Sequence, residues 1–106
     1  IIRKGENISP LEIENALARH PSVRQTAVIG MPDAERGEIV VAFVLPVEGK
    51  PFSFPDMKAH LDALGLAKQK FPERLHVVSS LPVNSVGKIQ KSELKSLAMS
   101  AEGGDR

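Results

Sequence analysis

One run of residues sets the tightest limit on how this chain folds: Ile39-Val-Val-Ala-Phe-Val-Leu45, seven apolar residues in a row. The run is rich in β-branched side chains and continuous rather than alternating. It therefore reads as a central strand buried on both faces. The 106 residues are enough for one domain with one core. With no Trp, no Tyr and only four Phe, that core is built from Ile, Val, Leu and Ala. The same scarcity of rings nearly excludes base stacking, on which single-stranded nucleic-acid binders rely.

The remaining elements are placed around this strand. Ser9-Pro10-Leu11-Glu12 reads as a capping box with proline at the first helical position. Ile8 and Ile13 stand at staple positions, and Ile13, Ala16 and Leu17 form one apolar face. His20-Pro21 ends that helix. Val23 to Ile29 is strand-like, and Gly30-Met-Pro-Asp33 is a turn signal. Pro46 to Pro51 is an exposed loop. Ser53 and Asp56 cap a second helix with the stripe Met57, Leu61 and Leu64, and Gly65 stops it. Leu66 to Lys70 adds a helical turn, and Leu75 to Val78 is a short strand. Leu81 to Lys88 is a loop. Ser92 to Ala98 is a last helix with Leu94 and Leu97 inward. Ser100 to Arg106 is polar and Gly-rich, and residues 99–106 are expected to form a flexible tail. The order predicts an α+β fold: a small two-layer domain, helices packed on a short mixed sheet, with an N-terminal hairpin or loop.

Several functions are excluded or disfavoured. A net charge of +1 gives no broad case for nucleic acid or anionic lipid. No apolar run approaches the length of a membrane span. The absence of Cys removes disulfides and thiolate metal sites and fits a reducing, cytoplasmic setting. His20, His60 and His76 are too scattered for a local metal motif, and no metal site is expected. His20 is expected at the surface, at a helix C-terminus. Asp33, Glu35 and Glu38 read as a solvated turn. The chain starts within an apolar pair and without Met, as expected of a piece of something longer.

Two loops remain as candidates. In Pro82 to Lys88, Gly87 permits a sharp turn and Lys88 projects a compact charge on a long stem. That arrangement suits reaching into a neighbouring anionic site, but an exposed surface lysine has the same appearance. In Arg3-Lys4-Gly5-Glu6-Asn7, Gly5 either makes a turn or lets backbone approach a ligand. Lys88, Lys91 and Lys95, at i, i+3 and i+7, are placed to share one basic face, either solvated or phosphate-binding.

The residues in these loops carry a resemblance. Gly5-Glu6-Asn7-Ile8-Ser9-Pro10-Leu11-Glu12-Ile13-Glu14 resembles the GENI-x-P-x-EIE segment of the C-terminal domain of the acyl-adenylate-forming (AMP-binding) superfamily. That superfamily includes acyl-CoA synthetases, nonribosomal-peptide adenylation domains and luciferases. His20-Pro21-x-Val23, Gly30-Met-Pro-Asp33 with Gly37-Glu38, and Leu66-Ala67-x-x-Lys70-x-Pro72 match further family segments. So does Leu81-Pro82 followed by Gly87-Lys88-Ile89 and Leu94. The matches run in order across residues 1–97. One departure is Lys4, where the family often has a second glycine.

The resemblance implies that residues 1–98 are the small mobile domain of an acyl-CoA synthetase, whose large N-terminal domain lies outside this sequence. Such an enzyme uses ATP to convert a carboxylic acid to an acyl-adenylate. It then transfers the acyl group to coenzyme A. The large domain would hold the acid, ATP and most contacts to Mg²⁺. Lys88 matches the family lysine that acts in adenylation. Gly5, Glu6 and Asn7 match the segment that faces the active site for thiol transfer, and Gly87, which lets the loop turn sharply beside a ligand, is expected with them among the cofactor-binding residues. Arg3 and Lys4 would either meet a coenzyme A phosphate or be solvated. Pro82-x-x-x-x-Gly87-Lys88 also resembles the sequence that protein acetyltransferases recognise in such enzymes, which makes an acetyltransferase a further expected partner. Two other readings stay open: an aryl-acid or amino-acid adenylating enzyme that loads a carrier protein, and a free-standing binding module without activity.

Overall fold

The computed structural model describes residues 1–3 and 5–103, with side chains as far as Met99. In chain order the elements are β1 (Ile2–Arg3), β2 (Glu6–Asn7), α1 (Pro10–Ala18), β3 (Val23–Asp33), β4 (Gly37–Pro46), α2 (Phe54–Ala63), a 3₁₀ turn (Lys68–Lys70), β5 (Arg74–Val77) and α3 (Lys91–Gly103). This is the expected α+β class. It has an N-terminal hairpin of β1 and β2, and a mixed three-stranded sheet of order β3-β4-β5. The sheet is antiparallel between β3 and β4 and parallel between β4 and β5. The apolar run is the central strand. The parallel partner is possible because the α2 connection is long enough to carry the chain back across the sheet.

Alternation inside the apolar run assigns each residue to a face. Val40, Ala42 and Val44 pack with Ile8, Ile13 and Leu17 of the α1 region and with Met57 and Leu61 of α2. Ile39, Val41 and Phe43 pack on the opposite side with Leu81, Leu94 and Ala98. α1 and α2 thus cover one face and α3 covers part of the other. Each fully buried side chain of this size contributes about 1.5–3 kcal/mol, so the run is the largest single organiser of the core.

Several local expectations change. Gly30 to Asp33 is not a turn. β3 continues through it, with Pro32 opposite Glu38 and Asp33 opposite Gly37. β3 is an edge strand, where proline is tolerated. Gly30 serves a close approach instead: a Cβ there would lie 2.7 Å from Glu38 Oε2. The turn falls at residues 34–36, where Asp33 Oδ2 accepts the Arg36 backbone N–H at 2.9 Å.

The helix caps also differ from each other. Ser53 and Asp56 form a complete capping box, but Ser9 supplies only half of one, accepting from the Glu12 backbone at 3.3 Å. The Glu12 carboxylate pairs instead with Lys70 Nζ at 3.0 Å. In α3 the inward pair is Leu94 and Ala98, both about 1% exposed, while Leu97 is 56% exposed. The i, i+4 pair fills the narrow strip under the sheet and leaves Leu97 outside. α3 itself runs to Gly103, beyond the Ala98 expected. Lys4 and residues 104–106 lie outside the described residues, together with that part of the expected tail. Among the described residues no helix is long and apolar enough to cross a membrane.

Candidate functional site

Lys88 sits at the end of a small hairpin wired by its own backbone. Val83 and Ile89 form an antiparallel bridge. Inside it, Asn84 N donates to Lys88 O at 2.8 Å and Gly87 N donates to Asn84 O at 3.0 Å. The Asn84 side chain completes the structure: its Oδ1 accepts from Val86 N at 3.0 Å and Lys88 N at 2.9 Å. Gly87 takes φ +87°, the left-handed region that glycine enters without strain. Leu81 before the hairpin and Leu94 after it are buried in the core. The tip is exposed, including Ser85, Val86, Gly87 and Lys88. Among the described residues no ion pair or hydrogen bond holds the Lys88 ammonium. The result is a rigid base carrying, among the described residues, an unpaired cation on a flexible stem.

Lys91 behaves differently. Its Nζ pairs with Glu14 Oε2 at 2.8 Å, and the same oxygen accepts the Val28 backbone N–H at 2.8 Å. Glu14 therefore caps the open edge of β3 and ties the first residue of α3 to α1. The shared basic face of Lys88, Lys91 and Lys95 does not form, because α3 begins only at Lys91 and Lys91 is committed to Glu14.

Gly5, Glu6 and Asn7 lie together on the β1–β2 hairpin, and all three are exposed. The pairing is Ile2 with Asn7 and Arg3 with Glu6, and Gly5 lies in the turn that leads into β2. Gly5 has φ +80°, and nothing lies within 4 Å of where a Cβ would stand. Its glycine is required by the turn, and the space beside it is open. Arg3 is neither solvated nor available to a phosphate: its side chain is 11% exposed and forms an ion pair with Glu73. Sequence reasoning missed Glu14 and Glu73. Each carries an ordinary acidic side chain whose partner is remote in the chain, so no local spacing marks it.

No hydrogen bond or ion pair joins the two hairpins among the described residues. Open grooves of about 570 Å³ beside α2 and about 740 Å³ at the β4–α2 loop are lined by other residues. Neither candidate loop lines these grooves; both project outward, as suits a surface completed from outside.

The fold does bring His20 and His60 together, with ring centroids 4.8 Å apart and Phe52 against His20. His20 is half-buried rather than a plain surface residue. Burial, and then the neighbouring His60, hold its pKa below the usual 6.5, against an opposing pull from Asp56. Its Nδ1 accepts the Ser22 backbone N–H at 3.0 Å, which requires the neutral ring. Among the described residues no group of three or more His, Cys, Asp or Glu is arranged to hold a metal ion.

Fold and loops together define a small α+β domain that presents two glycine-containing hairpins. Residues 12–88 match the family described as AMP-binding enzyme C-terminal domain. The chain belongs to that family. It is 39% identical over 95 residues to the 2,3-dihydroxybenzoate-AMP ligase of Bacillus subtilis, a match covering 90% of this chain and 17% of the ligase. It is 41% identical over 95 residues to the crotonobetaine/carnitine–CoA ligase of Proteus mirabilis, covering 90% of this chain and 18% of that protein. Among solved structures, ATP-bound MatB from Rhodopseudomonas palustris superposes with a TM-score of 0.86 at 37% identity, covering 92% of this chain and 19% of MatB. The chain thus spans less than a fifth of each of these proteins.

Proposed function

We propose that residues 1–98 are the mobile C-terminal domain of a ligase that activates a carboxylic acid with ATP and passes the acyl group to coenzyme A. In the first half-reaction the carboxylate attacks the α-phosphate of ATP, forming an acyl–phosphate bond and expelling pyrophosphate. In the second, a thiol attacks the acyl carbon and AMP leaves. A large domain beyond this sequence would bind ATP, Mg²⁺ and the acid.

The observation that carries this reading is the Lys88 hairpin. Its exposed tip bears a cation without a partner among the described residues, while its base is fixed by Asn84. The first transition state spreads negative charge over phosphate oxygens and the attacking carboxylate. A positioned ammonium stabilises that charge with no covalent role. Gly87 keeps the backbone slim beside the nucleotide. In the second half-reaction the open surface at Gly5, with Glu6 and Asn7, receives the thiol arm. Acylation of Lys88 by a protein acetyltransferase would remove its charge and switch adenylation off. Mass spectrometry that found Lys88 unmodified in cells with active acetyltransferases would count against that switch.

The 2,3-dihydroxybenzoate-AMP ligase similarity favours a second reading: an aryl-acid adenylating enzyme whose acceptor thiol belongs to a carrier protein. Both are tested by assaying the full-length protein with a panel of carboxylic acids for pyrophosphate release and thioester formation. Thioester with coenzyme A supports the first reading, and thioester only on a carrier protein supports the second. An absence of carboxylate-dependent pyrophosphate release across the panel would leave the free-standing binding module as the better account.

A further inference from the structure

Two-residue strands do not make a stable hairpin by themselves, so the β1–β2 hairpin must be held by the rest of the domain. At its base, Ile8 is buried and its N–H donates to Ile1 O. Along β1, the Ile2 backbone N–H donates to Glu38 Oε1 at 2.8 Å. Nearest the exposed tip stands Arg3. Its guanidinium reaches across the fold to the Glu73 carboxylate and to Phe71 O at 3.4 Å.

Glu73 is itself fixed at both ends. Its backbone N–H donates to Val40 O, and its Oε1 accepts the Val40 N–H, each at 2.8 Å. Val40 is fully buried in the central strand. The other carboxylate oxygen takes Arg3. A planar guanidinium spans a carboxylate and a carbonyl at once, which a lysine ammonium does less well. The chain of contacts therefore runs from the core strand through Glu73 and Arg3 to the hairpin, two residues from Gly5.

We propose that Arg3 and Glu73 are positioning residues for the thiol-transfer half-reaction, their ion pair fixing the Gly5–Asn7 surface in the orientation that receives the thiol arm. This rests on the function proposed above. Neither side chain touches a substrate, since Arg3 is spent on Glu73 and nearly buried. Both act through the backbone they hold.

The test uses the full-length enzyme and the variants Arg3→Met, Arg3→Lys and Glu73→Gln, the last keeping an oxygen for the Val40 N–H. Two rates are measured: carboxylate-dependent ATP–pyrophosphate exchange, and thioester formation from supplied acyl-adenylate with coenzyme A. A displacement of about 1 Å at a reacting surface costs up to about 10²-fold. Arg3→Met and Glu73→Gln should therefore lower kcat for thioester formation by about tenfold or more and leave exchange within about twofold. Arg3→Lys should recover part of the loss.

Equal loss in both half-reactions would show a general folding defect and overturn the proposal. So would unchanged thioester formation, or a raised KM for coenzyme A at unchanged kcat, which would make Arg3 a direct ligand. If Arg3→Met does not fold, Glu73→Gln and Arg3→Lys carry the same test. A wild-type enzyme that forms adenylate but no coenzyme A thioester refutes the coenzyme A reading itself. A wild-type enzyme that forms both, alongside variants that do too at normal rates, refutes only the positioning role.

Discussion

The two hairpins are built in opposite ways. The one ending in Lys88 is held by itself: one asparagine side chain and a handful of backbone bonds within residues 82–90 fix its shape. The one carrying Gly5 is held by others. Its strands are two residues long, and its anchors lie at Glu38 and Glu73, far along the chain. A self-wired loop keeps its shape even where the fold beneath it is perturbed. A loop anchored by remote side chains is only as well placed as the fold beneath it. The difference teaches where each can be damaged: the first at its own residues, the second from a distance.

The largest expected effect is at Lys88. In the full-length enzyme, Lys88→Ala should slow adenylation by about 10²–10³-fold and largely spare thioester formation from supplied acyl-adenylate. Equal slowing of both would erase the division of labour proposed for the hairpins. Asn84→Ala comes next. It removes the acceptor for two backbone donors, each bond worth about 0.5–1.5 kcal/mol. A loss of about 1.4 kcal/mol in pre-organisation is about tenfold in rate, so adenylation should fall by about that factor. Because the wiring is local and exposed, Tm should hardly move, and a large drop in Tm would show that this hairpin is not self-contained.

Gly5→Ala is smaller. The left-handed turn penalises a Cβ by about 1–2 kcal/mol, while no atom stands in the way. A modest fall in Tm is expected, with a loss confined to thioester formation. Loss of adenylation instead would place Gly5 with Lys88.

The smallest effect is on pH dependence, and it concerns a third region that exists only in the folded state. His20 has a lowered pKa in the fold, so the unfolded chain binds its proton more readily and stability rises with pH. The stabilising contribution is present above the unfolded value near 6.5 and is lost as pH falls through the folded value. Tm should therefore drop more between pH 7.5 and 5.5 in the wild type than in His20→Gln. Identical drops would mean that the fold does not hold the His20 pKa below its unfolded value.

Much of this was legible from residue order. The continuous run from Ile39 to Leu45 marked the central strand because only a strand covered on both sides tolerates unbroken apolar sequence. Ser53, Asp56 and Gly65 marked the ends of α2 because capping chemistry acts over three or four residues. The loop ending in Gly87-Lys88 was visible for the same reason. Gly30-Met-Pro-Asp33 misled, since glycine and proline there serve a side-chain approach and an edge strand rather than a turn. Half of the Ser9–Glu12 box was lost because Lys70, brought near only by folding, competes for the Glu12 carboxylate.

The sequence by itself determined the central strand, the ends of α2, the family and the identity of the candidate lysine. These follow from propensities and patterns that act over short stretches of chain. Only the tertiary structure decided that Lys88 is unpaired among the described residues while Lys91 is bound to Glu14, and that Arg3 serves Glu73 rather than a phosphate. Those outcomes depend on charges that meet across dozens of residues. Side-chain pairing of that kind is set by distance in space, which the order of residues does not contain.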